Sequence, residues 1–280
     1  MRPAHRQYDP SADRRAYDPA LFAGTAPYYR RFRTGYPEAV FELLAGEFHL
    51  GPHTRVLDLG CGTGQIAIPL TRRGVPVLAM DPDGEMLAEG RLAAREIAAE
   101  IEWRQGSSWE LGPELGQLRL VTIGRAFHWM DRIATLAAID QIVESQGGVA
   151  LIGPLHRDDP LMDGYGRAQA AIMAVVVEFL GPGRRAGGGT YGHPVDRHET
   201  ALANSAFSRV ETHRFPSPRT WTIDQLIGLT LSSSYAAPPL FGERLPAFEQ
   251  ALRKRLTALD PAGIFGEQDS TEVFIGRRPV

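Results

Sequence analysis

The first half of the chain carries short, mainly apolar runs at residues 54–59, 75–80, 118–123 and 149–152, most of them bounded by Gly, Pro or Asp, and residues 101–105 can form a further strand. Runs of this length, with no alternation of polar positions, predict strands covered on both faces. Stretches with helical spacing separate them. In residues 38–48, Val40, Phe41, Leu43, Leu44 and Phe48 are apolar and Pro37 precedes the first turn; proline suits a helix start. Residues 65–73 end at Gly74, residues 84–98 offer Met86, Leu87, Leu92 and Ile97 to a core, and residues 132–144 complete the series. Strands alternating with helices at this spacing predict a parallel sheet with helices on both faces.

The pattern loosens after Pro154. Residues 161–180 read as one long helix and residues 181–194 as a glycine-rich mobile loop. Helices are expected again at 196–206, 222–232 and 241–256, and strands at 208–215 and 271–276. Residues 155–195 read as a cap inserted between the fifth strand and the terminal hairpin, within a single domain spanning 21–280. Residues 1–20 are polar and read as a flexible lead-in. Residues 22–37 alternate aromatic and basic side chains too irregularly for a clean amphipathic helix. Tyr28, Tyr29, Phe32 and Tyr36 therefore have two readings, packing at a helix entry or a lid over a ligand.

Composition narrows the classes. Hydrophobic residues make up 43% of the 280 and charged residues 22%, as in ordinary globular proteins. A formal net charge of -3 and no basic stripe argue against a nucleic-acid partner. No apolar stretch is long enough to span a membrane, and the N-terminus lacks the apolar core of a signal peptide. The expectation is a cytoplasmic monomer or homodimer. The single cysteine, Cys61, excludes an internal disulfide framework. The scattered His156, His193, His198 and His213 show no metal-ligand spacing, so no metal is expected. Lys254 is the only lysine; a bias that strong points to a GC-rich genome, and single arginines carry correspondingly less weight.

The candidate chemistry sits in the turn after the first strand, Asp58-Leu59-Gly60-Cys61-Gly62-Thr63-Gly64. Glycines let a backbone take positive φ and approach a ligand with no Cβ between. Read literally, Gly62 to Ala67 fits the dinucleotide pattern G-x-G-x-x-A, with Asp81 as the ribose acid. The flanks favour another class. With Asp58 inside the strand end, glycines at 60, 62 and 64, and Asp81 at the end of the next strand, the stretch resembles the class I S-adenosylmethionine-dependent methyltransferases. The segment Gly124-Arg125-Ala126-Phe127-His128-Trp129-Met130-Asp131 is similar to the signature after the fourth strand of a bacterial small-molecule subgroup, the methyltransferase domain 11/25 type. So is Tyr29-x-x-x-Arg33-x-Gly35-Tyr36-Pro37, except that Thr34 stands where that subgroup has proline.

The resemblance implies a Rossmann-like, seven-stranded, mostly parallel sheet with an antiparallel last strand and a helical lid or cap. It implies S-adenosylmethionine as the cofactor and S-adenosylhomocysteine as the product. Asp58 would serve the cationic amino-acid end of the ligand, Gly60, Gly62 and Gly64 its close approach, and Asp81 the ribose hydroxyls. At the end of the third strand the family has an acid for the adenine amino group; here Ser107 occupies that position, with Ser108 N–H beside it and Trp109 to stack or to pack. Ala126 belongs to the cofactor-facing loop. Tyr29 and Arg33 would close from the lid, Arg33 on the methionyl carboxylate. His128 is the candidate general base, or it orders the loop without moving a proton.

The function expected is methyl transfer to a small-molecule acceptor, in secondary metabolism. The alternative is an enzyme of the same fold that uses the sulfonium otherwise, by intramolecular cyclisation releasing methylthioadenosine or as an electrostatic aid to a cyclase.

Overall fold

The computed structural model describes residues 18, 21–154, 164–183, 185–186, 189–190 and 197–279. The expected lead-in falls outside these residues apart from Asp18. So do much of the expected glycine-rich loop and residues 155–163 of the expected cap.

The chain enters through α1 (Ala26–Phe32) and α2 (Glu38–Phe48). It then alternates β1 (Val56–Leu59), α3 (Ala67–Thr71), β2 (Val77–Asp81), α4 (Gly84–Glu96), β3 (Glu102–Gln105), β4 (Leu118–Gly124), α5 (Arg132–Ile142) and β5 (Val143–Pro154). There follow α6 (Gly164–Leu180), the two-residue strands β6 (Arg185–Ala186) and β7 (Gly189–Thr190), α7 (His198–Ala203) and β8 (Arg209–Pro216). The last elements are β9 (Arg219–Thr222), α8 (Ile223–Leu231), α9 (Leu245–Leu259), β10 (Ile264–Glu267) and β11 (Ser270–Arg277).

Seven strands form one sheet in the order β3-β2-β1-β4-β5-β11-β8. β1 to β5 pair in parallel, and β11 runs antiparallel to both of its neighbours. This is the sheet the sequence predicts. Every residue of β1 and β2 is buried, because helices cover both faces. β3 lies at the edge and is half exposed. One core joins α2 and α3 to one face through Phe41, Phe48, Leu70 and Leu120; the other joins α5 and α7 to the opposite face through Leu57, Ile139, Leu202 and Phe207. From β1 the chain winds outward to β3, then crosses back to β4 on the other side of β1. The strand order therefore reverses between β1 and β4, where an open α/β sheet leaves a crevice at its carboxyl ends.

A third core lies apart from the sheet. α6, α8, α9 and the two-stranded antiparallel sheet β9–β10 bury Ile172, Trp221, Leu226, Phe248 and Phe265 against one another. The cap thus joins α6, from the excursion after β5, to residues 219–267, from the excursion between β8 and β11. The strands β9 and β10 are four residues each and show no signal in the sequence. α8 does show one: Thr222 and Gln225 form a reciprocal capping box at its start.

α1 bridges the sheet domain and the cap, where the irregular sequence predicts no regular helix. Its seven residues are held by neighbours rather than by length. Arg30 pairs with Glu89 and Glu96 of α4. On the other side Phe32 lies flat on Gly228 of α8, where an added Cβ would meet the ring at 2.2 Å. Arg33 donates to the hydroxyls of Ser232 and Ser233 at 2.8 and 2.9 Å.

Gly228→Ala is expected to destabilise the chain by about 1–3 kcal/mol, the usual cost of overpacking a contact that cannot yield. The readout is the midpoint of thermal unfolding. Gly46→Ala in α2, where an added Cβ meets nothing within 4 Å, is the control. It is expected to gain about 0.5–1 kcal/mol from relief of glycine's helix penalty.

Candidate functional site

The site is built around the turn from β1 to α3. Gly60, Gly62 and Gly64 have φ of +70°, +54° and +89°, conformations that only glycine adopts freely. The turn is pinned to β2 by backbone bonds, Gly60 N–H and Cys61 N–H both donating to Met80 O at 2.8 and 3.1 Å. A Cβ at Gly60 would lie 2.5 Å from that of Ala126, so the loop after β4 packs directly on the turn. At Gly62 the nearest neighbour is the Tyr29 ring, 3.6 Å from an added Cβ. The lid tyrosine therefore covers the turn.

Two carboxylates flank the glycines. Asp58 is buried in β1; its Oδ1 accepts from the Thr122 hydroxyl at 3.0 Å and its Oδ2 from Ala67 N–H at 3.1 Å. Asp81 closes β2; its Oδ2 accepts from Gly62 N–H at 2.8 Å and its Oδ1 from Asp83 N–H at 2.9 Å. Burial outweighs these bonds and raises both carboxyls, Asp58 to about 7 and Asp81 to about 6. Each oxygen keeps a lone pair for a donor brought by a ligand. Burial likewise pushes the Cys61 thiol well up, which removes the thiolate a nucleophile needs.

Ser107 is engaged as a cap. Its hydroxyl and its N–H both donate to Glu110, and its oxygen accepts from Trp109 N–H at 3.3 Å. An acid does therefore stand at the end of β3, supplied by Glu110 three residues on. The sequence signal was present, since Ser107-x-x-Glu110 is a capping box. Ser108 starts the same short 3-10 turn, and Trp109 is 45% exposed.

Beyond the lid lies a cavity of about 800 Å³. Its floor is the carboxyl ends of β4 and β5, with Arg125, His128 and Trp129 from the loop after β4. Tyr29 and Arg33 supply the lid side, and Tyr165, Gln169, Trp221 and Tyr235 the cap side. His128 packs on Trp129 with ring centroids 4.9 Å apart. The site thus brings together Asp58, Asp81, the three glycines, Ala126 and Tyr29 around the turn, and Tyr29, Arg33 and His128 around the cavity. Ser107 and Ser108 stand at the outer end, after β3. Arg125 and the cap residues escape sequence reasoning, because nothing local to them marks a wall whose other half lies elsewhere in the chain.

Among the described residues no three His, Cys, Asp or Glu side chains are grouped to hold a metal, and no helix is long and apolar enough to cross a membrane.

Residues 56–147 match the profile of a family described as "Methyltransferase domain". An uncharacterised methyltransferase of Mycobacterium tuberculosis (strain ATCC 25618 / H37Rv) is 28% identical over 215 residues, 76% of this chain and 76% of its own. A ubiquinone biosynthesis O-methyltransferase of Acinetobacter baumannii (strain AYE) is 35% identical over 106 residues, 37% of this chain and 45% of its own. Among solved structures, the [4+2]-cyclase SpnF superposes with a TM-score of 0.55 at 14% identity, over 95% of this chain and 98% of that one; at that identity the likeness concerns the fold alone. The segment from β1 to β5 is thus similar to a methyltransferase domain, and it is set in a seven-stranded, mostly parallel sheet with one antiparallel strand.

Proposed function

We propose that the protein binds S-adenosylmethionine over the glycine turn and transfers its methyl group to a small molecule held in the cavity, in a biosynthetic step. The observation that carries this reading is the position of Tyr29. It lies on Gly62 and also lines the cavity, so the two chambers meet at one side chain. A cavity of about 800 Å³ suits a small organic acceptor better than a polymer.

The residues present fit the ligand. Asp81 has oxygens left for two ribose hydroxyls, and Asp58 sets a carboxylate beneath the cationic end. Arg33 bonds to two hydroxyls and lies 5.2 Å over the Tyr29 ring, with no carboxylate partner among the described residues, which leaves its charge for the methionyl carboxylate. Ser107 and Glu110 offer acceptors to the adenine amino group. When bound, the cofactor supplies an electrophilic methyl on a sulfonium. The chain's part is to orient the acceptor, exclude water and take up a proton where the acceptor atom carries one. His128 lines the cavity and is assigned that proton. Product analysis tests the whole reading: S-adenosylhomocysteine is expected, and methylthioadenosine would mean attack on the methionine chain instead.

Affinity for S-adenosylhomocysteine is expected to depend on pH in a direction set by the two acids. Their carboxyls are protonated in the free protein below about 7 and 6, while a ligand that donates to them needs the carboxylates. Binding should be full above about pH 8 and weaken at least about tenfold by pH 5. Asp81→Ala should cost about 1.5–3 kcal/mol at pH 7.5, the worth of hydrogen bonds to a charged group. Calorimetry showing neither effect removes the ribose assignment.

Arg33→Ala should weaken S-adenosylhomocysteine by about tenfold, while methylthioadenosine, which lacks the carboxylate, loses little. Equal losses for both ligands assign Arg33 to the lid's packing.

With an acceptor found by screening for S-adenosylhomocysteine release, His128→Ala should lower turnover by about 10²–10⁴-fold and leave cofactor affinity intact. Lost affinity with turnover maintained assigns His128 to ordering the loop.

A further inference from the structure

Arg125 stands immediately after β4 with φ of +55°, a conformation uncommon for any residue with a side chain. β5 enforces it, Arg125 N–H donating to Ile152 O at 2.9 Å. The guanidinium lines the cavity, lies 5.0 Å over the Tyr36 ring, and donates to Thr34 O at 3.5 Å. That is one long hydrogen bond for a group with five donors.

The charges around it are otherwise matched. Of the acids that line the same cavity, Glu199 pairs with Arg197 at 3.7 Å, Asp269 with Arg219 at 3.8 Å and Glu272 with Arg214 at 2.8 Å. Glu267 accepts from Trp221 Nε1 at 2.7 Å. Among the described residues, none of them is an ion-pair partner of Arg125. Arg33 is the other cavity arginine without a carboxylate, but two serine hydroxyls hold it and the cofactor reading uses its charge. Among the described residues Arg125 is then the cavity cation without an ion pair or hydroxyl partner, with Asp269 acting on it only at longer range. A half-buried guanidinium with one long hydrogen bond has donors to offer a bound anion. Its planar fork matches a carboxylate bidentately. The walls suit a flat ring: Tyr165 stacks on Trp221 with centroids 5.8 Å apart and planes at 29°, and Trp129 lines the same space.

We propose that the acceptor is an aromatic carboxylate, anchored by a pair between its carboxylate and Arg125 with its ring against the aromatic walls. The inference rests on the reading of the cavity as the acceptor chamber. Arg125 is a specificity-determining residue in this account.

The test titrates 4-hydroxybenzoate, 3,4-dihydroxybenzoate and salicylate, each beside its carboxamide, into the full chain with and without saturating S-adenosylhomocysteine. At least one carboxylate is expected to bind about tenfold or more tightly than its carboxamide. Arg125→Gln should reduce that preference to within about twofold and Arg125→Lys should keep part of it, because the charge remains without the fork. Affinity for S-adenosylhomocysteine should be unchanged in both. A role confined to pinning Thr34 leaves the preference intact in Arg125→Gln, and that result overturns the proposal. So does equal binding of acid and amide, or no binding of any acid at millimolar concentration. Loss of S-adenosylhomocysteine affinity in Arg125→Gln would give the guanidinium to the cofactor instead, and overturn it as well. Failure of the methyl-transfer reading registers separately, as a wild-type chain that does not bind S-adenosylhomocysteine.

Discussion

Two carboxylates buried at the ends of adjacent strands are the constraint on which the site depends. Asp81 ties the glycine turn, through Gly62, to the start of α4, through Asp83. Asp58 ties β1 to β4 through Thr122 and to α3 through Ala67. Each acid therefore organises two further elements, and each does so at the carboxyl edge where the strand order reverses. The same burial that makes these bonds strong raises both acids toward neutrality. A ligand with a positive end and hydroxyl donors relieves the cost, so the site is stabilised by what it binds.

The lid and the cap extend that organisation outward. α1 is a short helix with ion pairs to α4 on one side and a flat aromatic contact with α8 on the other. Further polar bonds from Arg33 to Ser232 and Ser233, and from Arg219 to Gly35 O at 3.4 Å, join the lid to the cap. Tyr29 therefore does not sit over the turn by itself. Its position is determined jointly by the sheet domain and the cap, so the glycine turn and the cavity are mechanically linked through one helix.

The sheet was legible because its signals are local. The runs 54–59, 75–80 and 118–123 are mainly apolar, as strands covered on both faces are, and Asp58, the glycines and Asp81 lie within one strand-turn-helix-strand unit. The antiparallel last strand came from the family resemblance rather than from periodicity. α1 was not legible, since its helix is stabilised by contacts with residues some 59 to 200 positions away. β9 and β10 escaped for a similar reason: four-residue strands of mixed polarity are defined by each other, through pairs such as Trp221 with Phe265. Arg125 was visible as part of a motif, but its lack of a carboxylate partner is a property of the whole cavity. Ser107 looked like a substitute for a missing acid, and the structure places Glu110 beside it instead.

The two-part origin of the cap bears on how such a protein changes over evolutionary time. α6 leaves the sheet after β5, while α8, α9 and the small two-stranded sheet leave after β8 and return at β11. A new cap cannot be acquired as one inserted cassette, since half of it would have no core to join. Change in acceptor preference is therefore expected to accumulate residue by residue along the cap's inner wall, with both excursions varying together, while the turn and its two acids stay as they are.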